Sequence, residues 1–134
     1  MKSIVDIALR KNAPPQVLYS HYNNLFLNYI KADLNTSILF GKALLSDSER
    51  YKIPTKYEKL FQLNLGTAYL LKGNYKDAKG RIKLCINMLT EDEADRTIKA
   101  YALNNLGVAS WWHKHPNFDT YSELEDKSED EKSS

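Results

Sequence analysis

Apolar residues recur three and four positions apart through most of this chain, with polar residues between them, the period of helices that bury one face. Met1 to Lys11 carries Ile4, Val5, Ala8 and Leu9 at that spacing, enough for a short helix. Asn12-Ala-Pro14-Pro15 interrupts it. Proline costs nothing in a first helical turn, so Pro15 opens a second segment that runs to about Lys31 with Leu18, Tyr22, Leu25, Tyr29 and Ile30 along one face. Asp33 is placed to cap the next helix, whose stripe is Leu34, Ile38, Leu39, Leu44 and Leu45. Pro54 opens another, with Tyr57, Leu60, Phe61, Asn64, Leu65, Ala68, Tyr69 and Leu70, and Gly73 closes it because glycine accepts the left-handed conformation at a helix end. Asn74 is a cap candidate for the helix holding Tyr75, Ala78, Ile82, Cys85, Ile86 and Leu89. Thr90-Glu-Asp-Glu93 has capping-box spacing and predicts a helix from there to about Lys114, before His115-Pro116-Asn117 breaks it. Phe118 to Asp126 offers a last, short and poorly apolar helix.

Laid over this pattern is a repeated phrase. Tyr22-Asn-Asn-Leu25-Phe-Leu-Asn-Tyr29, Gln62-Leu-Asn-Leu65-Gly-Thr-Ala-Tyr69 and Leu103-Asn-Asn-Leu106-Gly-Val-Ala-Ser110 align with an asparagine before each leucine. Those asparagines are Asn24, Asn64 and Asn105, at intervals of 40 and 41 residues. A helical period of that size predicts stacked helix pairs.

Leu65-Gly66-x-x-Tyr69, Gly73-x-Tyr75-x-x-Ala78 and Ile82 resemble the tetratricopeptide repeat. The resemblance implies an all-α fold, a short right-handed α-solenoid of about three antiparallel helix pairs, with an N-terminal helix and an acidic tail. The organisation it implies is a helical domain over 1–118 with repeats at about 18–45, 57–89 and 98–124, followed by a short helix and a disordered tail over 119–134. Gly66 and Ala78 are small enough for close helix approach, while Leu65, Tyr69 and Ile82 fill the seam. The first repeat departs from the pattern: Phe26 stands in the glycine place, and Ser37 supplies the small residue only after a one-residue deletion. In the last, Ser110 replaces the tyrosine, and Asp119 and Glu123 fall at the small and large positions. The period exceeds the family's usual length and is similar to its long-repeat members.

Charge is unevenly spread. Residues 119–134 hold seven acids and two lysines, against seventeen bases and ten acids in 1–118. The tail is too polar to offset its own ordering entropy. A hydrophobic fraction of 43% suffices for a core, and no apolar run is long enough to span a bilayer. The single cysteine, Cys85, excludes an internal disulfide and, with no signal-like apolar segment in Met1 to Leu9, leads us to expect a reducing intracellular compartment, cytoplasmic or mitochondrial. Its place in the repeat makes Cys85 a small core residue.

The chain holds no glycine-rich phosphate loop, no Gly-x-Ser-x-Gly and no Cys-x-x-Cys, and its carboxylates lie in surface-type runs, so neither enzyme nor cofactor chemistry is expected. His113 and His115, two apart, do not share a helix face and do not suggest a metal site. Function is expected in protein–protein interaction. In the resemblance, the first helix of each pair lines a concave groove, which places Asn24, Asn64, Thr67, Tyr101 and Asn105 there, with Leu60, Leu63 and Ala102 as further candidates. A carboxamide both donates and accepts, so one per repeat could hold the backbone of an extended peptide. The lysine and arginine clamp of carboxylate-binding members is absent, since its places hold Asn23, Leu63 and Tyr101. Two other docking features stand out: Trp111-Trp112, and the basic run Lys72, Lys76, Lys79, Arg81 and Lys83. Beside the first reading, an interaction module or scaffold, they leave open an alternative role, as a structural or accessory subunit of a larger assembly, a mitochondrial one among the options, docked by its stack end and outer helices. RNA contact through the basic helix is a weaker third reading, because no aromatics are interleaved with those charges.

Overall fold

The computed structural model describes residues 14–50 and 53–115. Five helices make up almost all of them: α1 (Pro15–Ala32), α2 (Leu34–Arg50), α3 (Thr55–Lys72), α4 (Tyr75–Asn87) and α5 (Glu93–Lys114). No strand occurs among the described residues. The expected N-terminal helix, the sixth helix and the acidic tail lie outside them. α1 packs on α2 and α3 on α4; α1 also meets α3, and α3 meets α5. No described helix is long and apolar enough to cross a membrane.

The turns follow from local chemistry. Asp33 alone separates α1 from α2, and its carboxylate accepts hydrogen bonds from the Thr36 N–H at 3.3 Å and the Thr36 hydroxyl at 2.7 Å. Those two bonds favour the ionised form and hold the Asp33 pKa below the ordinary carboxylate value. Gly73 ends α3 at φ 89°, and the Gly73 and Asn74 N–H groups bond to Leu70 O and Tyr69 O. Asn74 stands at the cap position of α4 but makes no side-chain cap bond. The expected Thr90–Glu93 capping box does not form either. α5 starts at Glu93, and the Thr90 N–H and hydroxyl both donate to Asp95 Oδ2 at 2.7 Å. Asp95 wins because it lies one turn inside α5, close enough to reach back to Thr90 while pairing with Lys59.

The pairs close by complementary bulk. A Cβ on Gly66 would lie 2.6 Å from Ile82 Cγ1, so α3 and α4 touch there through the bare glycine. In the first pair the arrangement is inverted. Phe26 occupies the place of Gly66, and the facing residue of α2 is Gly41, where a Cβ would lie 2.5 Å from Phe26 Cζ. Ser37 and Leu44 are fully buried, as are Ala78 and Cys85 at the matching places of the second pair. The bulky residue and the small one have exchanged helices, so the first repeat departs from the sequence pattern without a loss of packing. Phe26 is held by Phe40 and Phe61, with ring centroids 5.9 Å and 6.5 Å away.

Candidate functional site

The layer formed by α1, α3 and α5 carries a polar track across the hydrophobic stack. Asn64 Nδ2 donates to Asn23 Oδ1 at 2.8 Å, joining α3 to α1. Asn105 Nδ2 donates to Thr67 Oγ1 at 3.1 Å, joining α5 to α3, while the Thr67 hydroxyl donates to Leu63 O at 2.9 Å. Four of these side chains thus span three helices that are forty residues apart in the chain. Asn105 Oδ1 also accepts from Asn104 Nδ2 at 3.5 Å. Each carboxamide has two donor hydrogens and two acceptor lone pairs, and these bonds leave part of that capacity unspent.

The expected groove residues separate into three groups. Asn64, Thr67 and Asn105 form the track; Asn64 is nearly buried and the other two are half-buried. Asn24 and Tyr101 flank it on the surface, Tyr101 at 63% exposure. Leu63 and Ala102 do not belong to it. Both are buried, packed with Ile82 and Cys85 between α3, α4 and α5, because their helical angle points them at the next helix and not away from the stack. Leu60 is half-buried against the other core cluster. Asn23 is the addition that the repeated phrase concealed. Asn24 aligns with Asn64 and Asn105, yet its neighbour makes the bond. Beside Tyr101, the residues Arg96, Thr97, Ala100 and Asn104 line an open depression of about 560 Å³ on α5.

α3 and α5 are also joined by a buried ion pair that the apolar pattern did not flag. Lys59 Nζ donates to both oxygens of Asp95 at 2.8 Å, with the two side chains 10% and 5% exposed. The Lys59 amine and the two Thr90 donors hold the Asp95 carboxyl down to about 2. The available signal was position: Lys59 precedes Leu63 by four residues and Gly66 by seven, so it shares their inward face, where a cation requires a partner.

At the end of α5 the two tryptophans diverge as their 100° offset requires. Trp112 is half-buried and stacks on Tyr75, centroids 6.3 Å apart at 15°. Trp111 is 42% exposed and stacks on His115 at 4.3 Å and 18°. His115 Nδ1 also lies 2.7 Å from Trp111 O. His113 is exposed, and among the described residues no group of three potential metal ligands gathers. Of the basic run, Lys72, Lys76 and Lys83 are exposed, Lys79 is half-buried, and Arg81 turns inward to donate to Gln62 Oε1 at 3.4 Å.

Cys85 is fully buried, and burial pushes its thiol up to about 11. It therefore holds almost no thiolate at neutral pH. We expect alkylation by iodoacetamide to be slow in the folded protein and complete only in denaturant; rapid native labelling would refute the buried placement.

No family model, curated protein or solved structure matches the chain.

Proposed function

We propose that this chain is a short tetratricopeptide-like solenoid that binds a protein segment across the α1–α3–α5 layer. The observation that carries the reading is the bonded track, Asn23–Asn64 and Thr67–Asn105, flanked by exposed Asn24, Asn104 and Tyr101. Carboxamides already fixed by neighbouring helices lose little freedom when they meet a peptide backbone, and preorganisation of that kind favours binding. Tyr101 supplies an amphipathic contact of the type that dominates interface energies.

The test is affinity capture from the native cell followed by mass spectrometry, with Tyr101→Ala and Asn24→Ala alongside Asn64→Ala/Asn105→Ala. The first two change exposed residues and are expected to leave thermal melting unaltered while reducing capture at least several-fold. Unchanged capture by Tyr101→Ala and by the double asparagine variant would sink the groove reading. One observation favours a second reading, that of an assembly subunit docked by its end: Leu103 and Trp111 are 49% and 42% exposed on the last described helix. A single stoichiometric complex lost on Trp111→Ala alone would select it.

A further inference from the structure

One side of α5 packs on the stack through Ile98, Ala102 and Leu106. The opposite side is a run of small and apolar residues, Ala100, Leu103, Gly107 and Trp111, all exposed. A Cβ on Gly107 would meet nothing within 4 Å among the described residues, whereas one on Gly66 in α3 would meet Ile82 at 2.6 Å. At about 100° per residue, Ala100 and Gly107 fall at the centre of this outward face. Leu103 and Arg96 lie to one flank of that line, Asn104 and Trp111 to the other. Exposed Glu93 stands at its start and exposed Lys114 at its end.

This face is complementary to itself. Two copies of α5 can lie antiparallel about a two-fold axis that passes between Leu103 and Asn104. Each level then carries one residue from each copy: Ala100 with the second copy's Gly107, Leu103 with its Asn104, Arg96 with its Trp111, and Glu93 with its Lys114. The smallest residues of the face meet at its centre, so the backbones can approach there as α3 and α4 do through Gly66. Arg96 comes level with an indole that is 42% exposed, the aromatic surface a guanidinium favours most. Glu93 meets a cation, and the axis repeats every contact, so both ends of the pair carry opposite charges. The helix dipoles run opposed as well. A parallel pair would instead set Glu93 on Glu93 and Lys114 on Lys114. A closed two-fold pair is also the commonest arrangement of identical chains.

We infer that two copies of this chain pair through the Ala100–Gly107 face of α5, antiparallel about a two-fold axis between Leu103 and Asn104. A standard interface takes roughly 20–30 residues a side, and this face offers far fewer, so the pair is a reversible one of about micromolar strength or weaker. Exposed Tyr101 and Val108 lie about a quarter turn from its centre, toward Asn105 and the polar track. The pairing therefore does not rest on the groove reading and leaves that side of α5 open.

Sedimentation equilibrium of the full chain, from micromolar to near-millimolar concentration, is expected to show reversible exchange between monomer and dimer. A chain that stays monomeric, or an open-ended series of larger species, would overturn the inference. Charge reversal tests the register. Glu93→Lys or Lys114→Glu alone sets like charges at one level and should weaken pairing about tenfold or more. Combined in one chain they exchange the charges and should restore it; a double variant as weak as the singles would exclude the antiparallel arrangement. Gly107→Leu fills the centre of the face and should abolish the dimer. Its Cβ stands in open space, so the melting temperature of the dilute, monomeric chain should not fall. A dimer that survives this change overturns the inference. So does a melting temperature that drops at that dilution, because the chain itself would then cover the face. In a Cys85→Ala background, Ala100→Cys chains mixed with Gly107→Cys chains should bridge to one another in preference to themselves under mild oxidation. Preferential self-bridging would again exclude the register.

Discussion

Gly66→Leu is expected to unfold the α3–α4 pair under conditions in which the native chain is intact, and Gly66→Ala to cost about 1–3 kcal/mol despite a better helix former. A Cβ there would lie 3.2 Å and 3.3 Å from Ala78 O and Ile82 N, which are backbone atoms that cannot step aside. The first pair provides the mirror experiment. Phe26→Ala should cost about 3–5 kcal/mol, because it removes a fully buried ring that fills the space over Gly41. Either loss is a large part of the roughly 5–15 kcal/mol that holds a domain together. Exchanging both residues, Phe26→Gly with Gly41→Ile, copies the second pair's arrangement and should recover part of the loss. Urea denaturation of the two single variants and the double gives the coupling directly. Strictly additive losses would mean that Phe26 and Gly41 do not compensate one another.

The second large effect concerns the buried ion pair. Lys59→Met strands the Asp95 carboxylate, leaving it only the two Thr90 donors, and removing one partner of a buried pair is far more damaging than never having had the pair. We expect a marked fall in melting temperature and early loss of amide protection in α5, since Asp95 ties α5 to α3. Lys56→Met, on an exposed residue three positions away, should do neither. Replacing both partners, Lys59→Met with Asp95→Leu, should restore much of the stability. The pH dependence has a definite sign. The Asp95 carboxyl is lowered from 3.8 to about 2, so its contribution is complete above about 4 and disappears as the pH falls from there to about 2. In Asp95→Asn that segment of the acid-denaturation curve should be missing. If the variant's curve kept the same slope between pH 4 and 2, the loss would belong to other carboxylates.

Much of this molecule was readable one residue at a time. Pro15, Pro54, Gly73 and Asp33 set helix ends through their own backbone and capping chemistry, which depends on no distant contact. The period near 41 and the close contact at Gly66 were likewise legible, because the helical stripe and the small residues lie within one local stretch. Three things were not. Phe26 looks like a departure from the repeat until Gly41 is seen across from it, since compensation between helices has no signature in either stretch alone. Asp95 displaced Glu93 as the partner of Thr90 because Lys59, thirty-six residues away, fixes where that carboxylate sits. Asn23 rather than Asn24 bonds Asn64, because a residue's helical angle toward its neighbour depends on how α1 lies against α3. The sequence by itself thus determined most helix ends, the start of α5 excepted, and that the helices recur. Only the tertiary structure decided which polar groups pair, because a hydrogen bond or ion pair between helices forms only when two separate segments meet at one angle and register.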